Sequence, residues 1–189
     1  MPHFTIHTLE SAPDAAKPFM EQSLAKYKGI PNLHAIMAES PQLFEAYRVV
    51  TELYRACSLN IIERQVVMLT INLVNSCSYC MAAHSTLAQR EKMPAEILAA
   101  LRAGGPLPDP RLQALAQFTR AMVEKRGWLT EEDFAGLFAA GYGKQQALDV
   151  VLAVGYKTMA NYTNHFAETP LDAMFANQAW SPPREQVAE

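Results

Sequence analysis

Apolar residues return every three or four positions along most of this chain, and nowhere do they alternate over the length of a strand. The clearest stretch opens at Ser40-Pro41, where Leu43, Phe44, Tyr47, Val50, Leu53 and Tyr54 mark one helix face before Cys57-Ser58-Leu59-Asn60 breaks it. Asn60 caps a second helix over roughly 61–74, and a third runs from about 76 to 90. Upstream, residues 1–12 read as irregular, and Pro13-Asp14 starts a helix that stops at Tyr27, before Lys28-Gly29. Leu33 to Ala38 form a short helix. Downstream, Pro94 opens one that ends at Gly104-Gly105, and Leu112, Leu115, Phe118 and Met122 mark another over about 110–125. Thr130-Glu131-Glu132-Asp133 is a strong helix start, and that helix ends at Gly141. A long helix follows over about 144–167, then a short one near 171–178, then a frayed tail from Ser181 to Glu189. The pattern predicts an all-α protein with no hairpin signal and no solenoid repeat.

Length and composition bound the picture further. At 189 residues and half apolar, the chain predicts one domain over 1–189 with one buried core. Pro106-Leu-Pro-Asp-Pro is a rigid connector between amphipathic helices. Sixteen basic against nineteen acidic residues leave a net charge of −3, and no Lys/Arg-rich run favours nucleic acid or an anionic membrane. The apolar runs at 66–71 and 150–154 are too short to span a bilayer, so no membrane role is expected. Met-Pro-His-Phe-Thr-Ile-His has neither a charged nor an apolar leader segment. Three cysteines, two of them in a CxxC, do not make an extracellular disulfide framework. The expected compartment is a reducing cytoplasm, where CxxC means catalysis or metal.

The chemistry gathers in one helix. Cys77 and Cys80 are three apart, and His84 lies four beyond the second, which puts all three within roughly 60° of arc on a helix. Residues three apart on a helix have Cα atoms within the ~4.4–6.8 Å that a disulfide spans. An imidazole one turn from Cys80 takes its proton or, when protonated, stabilises the reactive thiolate. Asn75 and Ser76 are the N-cap candidates, which would put Cys77 in the first turn. The set predicts a redox-active dithiol with its own base, and on that assignment His84→Ala would raise the Cys80 pKa.

Other residues carry weaker signals. Cys57 follows an amphipathic helix and reads as a buried or semi-buried thiol. His3, His7 and His34 show no partner pattern and read as surface residues. His165, with Tyr162 and Asn161, either lines the site from the last helix or sits at a helix end favoured by the dipole. Met20, Met37, Met68, Met122 and Met159 read as core filler. Zinc is an alternative in which Cys57 or His165 completes the ligand set, but a continuous helix presents C-x2-C-x3-H awkwardly for a tetrahedron.

Cys-Ser-Tyr-Cys-Met-Ala-Ala-His after an apolar helix ending Val-Asn-Ser resembles the alkylhydroperoxidase D-like branch of the carboxymuconolactone decarboxylase-like family. The resemblance extends over roughly 45–115, ahead of C-terminal helices over 110–178, and Asn161-Tyr162-Thr-Asn164-His165 is similar to the end of related peroxidase-like members. It implies an all-α bundle with the CxxC at the start of a core helix, assembled as trimers or hexamers. It also implies hydroperoxide or disulfide reduction, with Cys80 attacking peroxide, Cys77 resolving and His84 as base. The family's relay glutamate lies twelve residues before the first cysteine, where this chain has Gln65. A helical hairpin turning near 75 places Gln65 level with 84–86, where an amide orients an imidazole but shuttles no proton. On that reading Gln65→Glu would improve a poor peroxidase. Glu63, about 200° round the helix from Gln65, faces elsewhere.

The leading expectation is a thiol-dependent peroxidase or disulfide oxidoreductase with no organic cofactor and no metal, supplied by an external dithiol reductant. Two alternatives stand beside it. One is a non-redox, lactone decarboxylase-like enzyme using His84; the other is a redox-sensing helical oligomer with a weakened site.

Overall fold

The computed structural model describes residues 4–183, and among these there are nine α-helices and no strand. They are α1 Lys17–Tyr27, α2 Asn32–Met37, α3 Pro41–Arg55, α4 Ile61–Val74, α5 Ser78–Arg90, α6 Ala95–Ala103, α7 Pro110–Glu124, α8 Glu131–Ala139 and α9 Lys144–Phe166. The all-α expectation holds. The tail expected to fray carries no helix or strand over 181–183, and the rest of it, like His3, lies outside the described residues.

Helix α4 is the axis of the bundle. Its residues from Gln65 to Asn72 are all buried, because an apolar run with no polar face can only be satisfied by neighbours on every side. Those neighbours are α5, α6, α7 and α9. Asn60 and Glu63 form a reciprocal capping box at its start. Glu63 is buried there, paired with Arg111 and accepting a hydrogen bond from Tyr142, away from the cysteines. Helix α9 crosses the opposite side with Ala153, Tyr156, Lys157, Ala160, Asn161 and Asn164 on its buried stripe.

Four local expectations change. The segment before α1 is a 3₁₀ turn, Asp14–Ala16, and the last short helix is also 3₁₀, Ala173–Gln178. His34 is no surface residue. Helix α2 is buried from Leu33 to Met37, and the His34 ring packs against Tyr27, Phe44 and Tyr47 with Nδ1 bonded to Ser23 Oγ at 2.8 Å. Burial, with Arg48 and Lys26 nearby, pushes its pKa down to about 3, so the ring is neutral. His7 is nearly buried too, through a 2.7 Å bond to Glu39.

Candidate active site

The turn from α4 to α5 sets the geometry. Asn75 is not the N-cap of α5 but the C-cap of α4, and Ser76 follows in the left-handed region at φ 53°. Cys77 itself takes the extended N-cap conformation, its N–H bonded to the Asn72 carbonyl at 2.9 Å. The expected N-cap shifts because the Asn75 amide is used elsewhere, donating to Asn161 Oδ1 at 2.8 Å. Asn161 donates in turn to Asn72 Oδ1 at 3.1 Å, and Asn72 to the Cys80 carbonyl at 3.1 Å. Three asparagines thus lock the CxxC turn to α9, Asn75 donating and Asn161 and Asn72 each both donating and accepting.

Both cysteines are free thiols and buried, Cys77 at 1 % and Cys80 at 2 % exposure. They differ in what they face. Cys80 lines a cavity of about 290 Å³, along with Gln65, His84, Tyr79, Tyr156 and Lys157. Cys77 lies behind it, outside the cavity wall. Burial alone raises the Cys80 thiol, but the hydrogen of Cys77, the charge of Lys157 and the amides of Asn161 and Asn164 outweigh it. Asn164 Nδ2 donates to Cys80 Sγ at 3.1 Å. The result brings Cys80 down to about 5, while its hydrogen bond to Cys80 and burial push Cys77 up. The pair therefore holds one proton, on Cys77, and a thiolate at the cavity wall.

His84 is buried, and its Nδ1 lies 3.0 Å from Gln65 Oε1. Gln65 Nε2 donates to Glu91 Oε2 at 2.8 Å, which leaves Oε1 as the atom facing the ring. An oxygen there requires His84 Nδ1 to carry the hydrogen, so Nε2 is the basic nitrogen. Burial, then the charges of Lys157 and Arg55, hold His84 well below the usual imidazole range. The expectation that a protonated His84 stabilises the thiolate is therefore overturned: the ring is neutral, and the cation beside the sulfur is Lys157. On this geometry His84→Ala leaves the Cys80 titration near its native position.

The C-terminal segment closes one side. Phe175 meets Tyr79 edge-on, with centroids 6.0 Å apart, and Asp172 accepts from the Tyr79 hydroxyl and from the Asn32 backbone N–H. His165 and Tyr162 are exposed, so of the Asn161/Tyr162/His165 group only Asn161 reaches the CxxC turn. Cys57 is half-buried at the end of α3, away from the cavity. Among the described residues no group of three His, Cys, Asp or Glu side chains is arranged to hold a metal ion.

Sequence reasoning missed Lys157, Glu91 and Asn164 as parts of this site. Lys157 had a legible signal, since it is the one charged residue on the buried stripe of α9. Glu91 lies seven residues past His84 and so on the same helix face.

No family model and no curated protein matches the sequence. Solved structures do match the fold. The alkylhydroperoxidase AhpD core of an uncharacterized peroxidase-related protein from Ralstonia eutropha JMP134 superposes with a TM-score of 0.82 at 18 % identity, covering 97 % of this chain and 100 % of that one. A peroxidase-related protein from Silicibacter sp. TM1040 gives 0.78 at 19 % identity, covering 93 % of each chain. A cysteine-to-alanine variant of the debrominase Bmp8, in complex with 2,3,4-tribromopyrrole, gives 0.78 at 16 % identity over 94 % of this chain and 96 % of that one. With its all-α bundle and a CxxC at the head of a buried helix, this chain has the alkylhydroperoxidase D-like fold.

Proposed function

We propose that the protein is a thiol-dependent oxidoreductase that reduces hydroperoxides, with small disulfides as the related substrate class. The observation that carries this is the Cys80 sulfur at the wall of a cavity that opens to solvent, with a protonated partner thiol behind it. Cys80 thiolate attacks the distal peroxide oxygen; the O–O bond breaks, and the alkoxide leaves with a proton as alcohol. The Cys80 sulfenic acid then condenses with the Cys77 thiol, releasing water and forming the disulfide. An external dithiol returns both electrons. Neutral His84, unprotonated at Nε2, takes up a solvent proton there and hands it to the departing alkoxide, its ring aligned through Gln65 by Glu91.

One equivalent of cumene hydroperoxide should convert the reduced protein to a Cys77–Cys80 disulfide, read by peptide mapping and loss of titratable thiols. A dominant bridge through Cys57, or no bridge, would sink the proposal. The debrominase likeness, together with the aromatic lining from Tyr47, Tyr79, Tyr156 and Phe175, favours one second reading, in which the same thiolate acts on a halogenated aromatic ring. Halide release from a brominated pyrrole would establish it; none would remove it.

The active form is a homo-oligomer, in line with a trimer or hexamer. Val49 and Leu53 on α3 and Leu148 and Val151 on α9 are about half exposed or more, and the two helices pack together. Such a joined apolar face is costly to leave in water. Light scattering should give a mass of at least three chains, reduced by Leu148→Glu with Val151→Glu. A monomeric wild-type mass at micromolar concentration would refute this.

A further inference from the structure

The cavity wall is charged against the grain of the molecule. The chain as a whole carries −3, yet four cationic side chains line this one space: Arg55, Arg64 and Arg90 towards solvent and Lys157 within. Among the described residues Glu91 is the only acidic one lining it, and that carboxylate accepts from Gln65. Counting the Cys80 thiolate as a second anion, the lining still holds an excess of positive charge. His34 and His84 add none, since both rings are neutral.

The cations are poorly matched by the protein itself. Arg55 shares Glu52 with Lys26, at 3.2 and 2.8 Å, and Arg64 donates to the Leu59 carbonyl at 2.7 Å. Lys157 is 1 % exposed, and among the described residues its ammonium has no carboxylate partner; Tyr156 lies beside it, with the ring centroid 5.4 Å away. A buried ammonium without a counter-ion is expensive unless an anion is supplied. The Cys80 sulfur is one such anion for Lys157; Arg55, Arg64 and Arg90 at the mouth, the first two already partly bonded within the protein, leave the lining positive towards an anion that enters.

The rest of the wall is apolar or aromatic, from Met68, Leu87, Tyr47, Tyr79 and Phe175 among others. A volume of about 290 Å³ stands at the lower end of small-molecule sites, roughly 300–1,000 Å³. That size excludes a folded protein's disulfide and favours a compact molecule.

We propose that the cavity selects a small amphiphilic carboxylate, so that the substrate is a carboxylate-bearing aromatic or short alkyl hydroperoxide rather than a neutral one. The apolar body fills the tyrosine-lined interior with its reactive end at Cys80, and the carboxylate sits among the arginines. This rests on the reading of Cys80 as the reacting sulfur, but the binding preference is measurable without turnover.

The test is calorimetric titration of the fully reduced wild-type protein with 4-phenylbutyrate and, separately, its primary amide, a neutral near-isostere. The carboxylate should bind about tenfold tighter or more at low salt, and the preference should shrink as salt rises. Arg55→Gln with Arg90→Gln should remove most of the preference while leaving the amide's affinity as it was. Equal affinity for the two probes, or binding of neither, would overturn the inference. A clear preference in a protein that forms no Cys77–Cys80 disulfide with peroxide would leave the anion site standing and remove the redox reading. Peroxide-driven disulfide formation with no preference between the probes would do the reverse.

Discussion

Lys157→Met should move the Cys80 titration from about 5 up into the ordinary thiol range of about 8–9. Methionine keeps most of the lysine stem's volume, so the buried position at 1 % exposure stays filled and the change removes chiefly charge. Burial opposes the thiolate, and with the cation gone only the Cys77, Asn161 and Asn164 hydrogen bonds offset it. The sign follows from the acid involved. A thiol is charged above its pKa, so the native alkylation rate should be flat above about pH 6. In the variant it should climb through about pH 8–9. A less acidic thiol is also a better nucleophile as thiolate, with a Brønsted slope of about 0.4–0.5, and that offsets part of the loss. The net expectation is a rate near pH 6 lower by about tenfold, and a much larger change in the midpoint than in any single rate. Ultraviolet thiolate absorbance against pH measures the midpoint directly. An unchanged midpoint would mean that Cys77, Asn161 and Asn164 hold the thiolate without the lysine.

The second large effect is expected from exchanging Gln65 and Glu91. From sequence alone, Gln65→Glu by itself would supply a missing relay. The structure changes that expectation, because the far end of Gln65 already sits 2.8 Å from the Glu91 carboxylate. A glutamate at 65 would face a like charge, and one of the two groups would hold a proton to relieve it. The double variant Gln65→Glu with Glu91→Gln keeps one carboxylate and one amide but places the carboxylate against His84 Nδ1. There it both orients the ring and raises its basicity. General acid–base steps are typically worth ~10²–10⁴-fold, so if proton transfer through His84 limits turnover the gain should be at least about tenfold. Gln65→Glu alone should gain less. The comparison is kcat with an alkyl hydroperoxide and excess dithiol, with Cys80→Ser as the dead control in each background. A double variant no faster than wild type would show that proton transfer at His84 is not the slow step.

Most of what lies within one helix or one turn was legible before the structure. The Asn60 cap, the helix start at Thr130, and the spacing of Cys77, Cys80 and His84 all depend on residues a few positions apart. Gln65 opposite His84 needed only the assumption of a hairpin between adjacent helices, and their contact is 3.0 Å. Even here one local competition was misjudged. Asn75 looked like a cap for α5, but its amide finds Asn161 across the bundle, and Cys77 takes the cap position.

Local patterning, then, specifies an all-α chain with a dithiol and an imidazole close together on one turn and helix. Tertiary packing alone decided the electrostatics there. Asn164 reaches Cys80 across 84 positions of sequence, and Asn161 reaches Asn72 across 89. No periodicity or cap encodes which turn of α9 lies over the CxxC. The same packing places Lys157 by the sulfur and buries His84, so that the histidine is neutral and the lysine supplies the charge. Local structure follows from steric and hydrogen-bonding preferences that act over a few residues. A pKa depends on the burial and the charges that distant helices bring within a few ångströms.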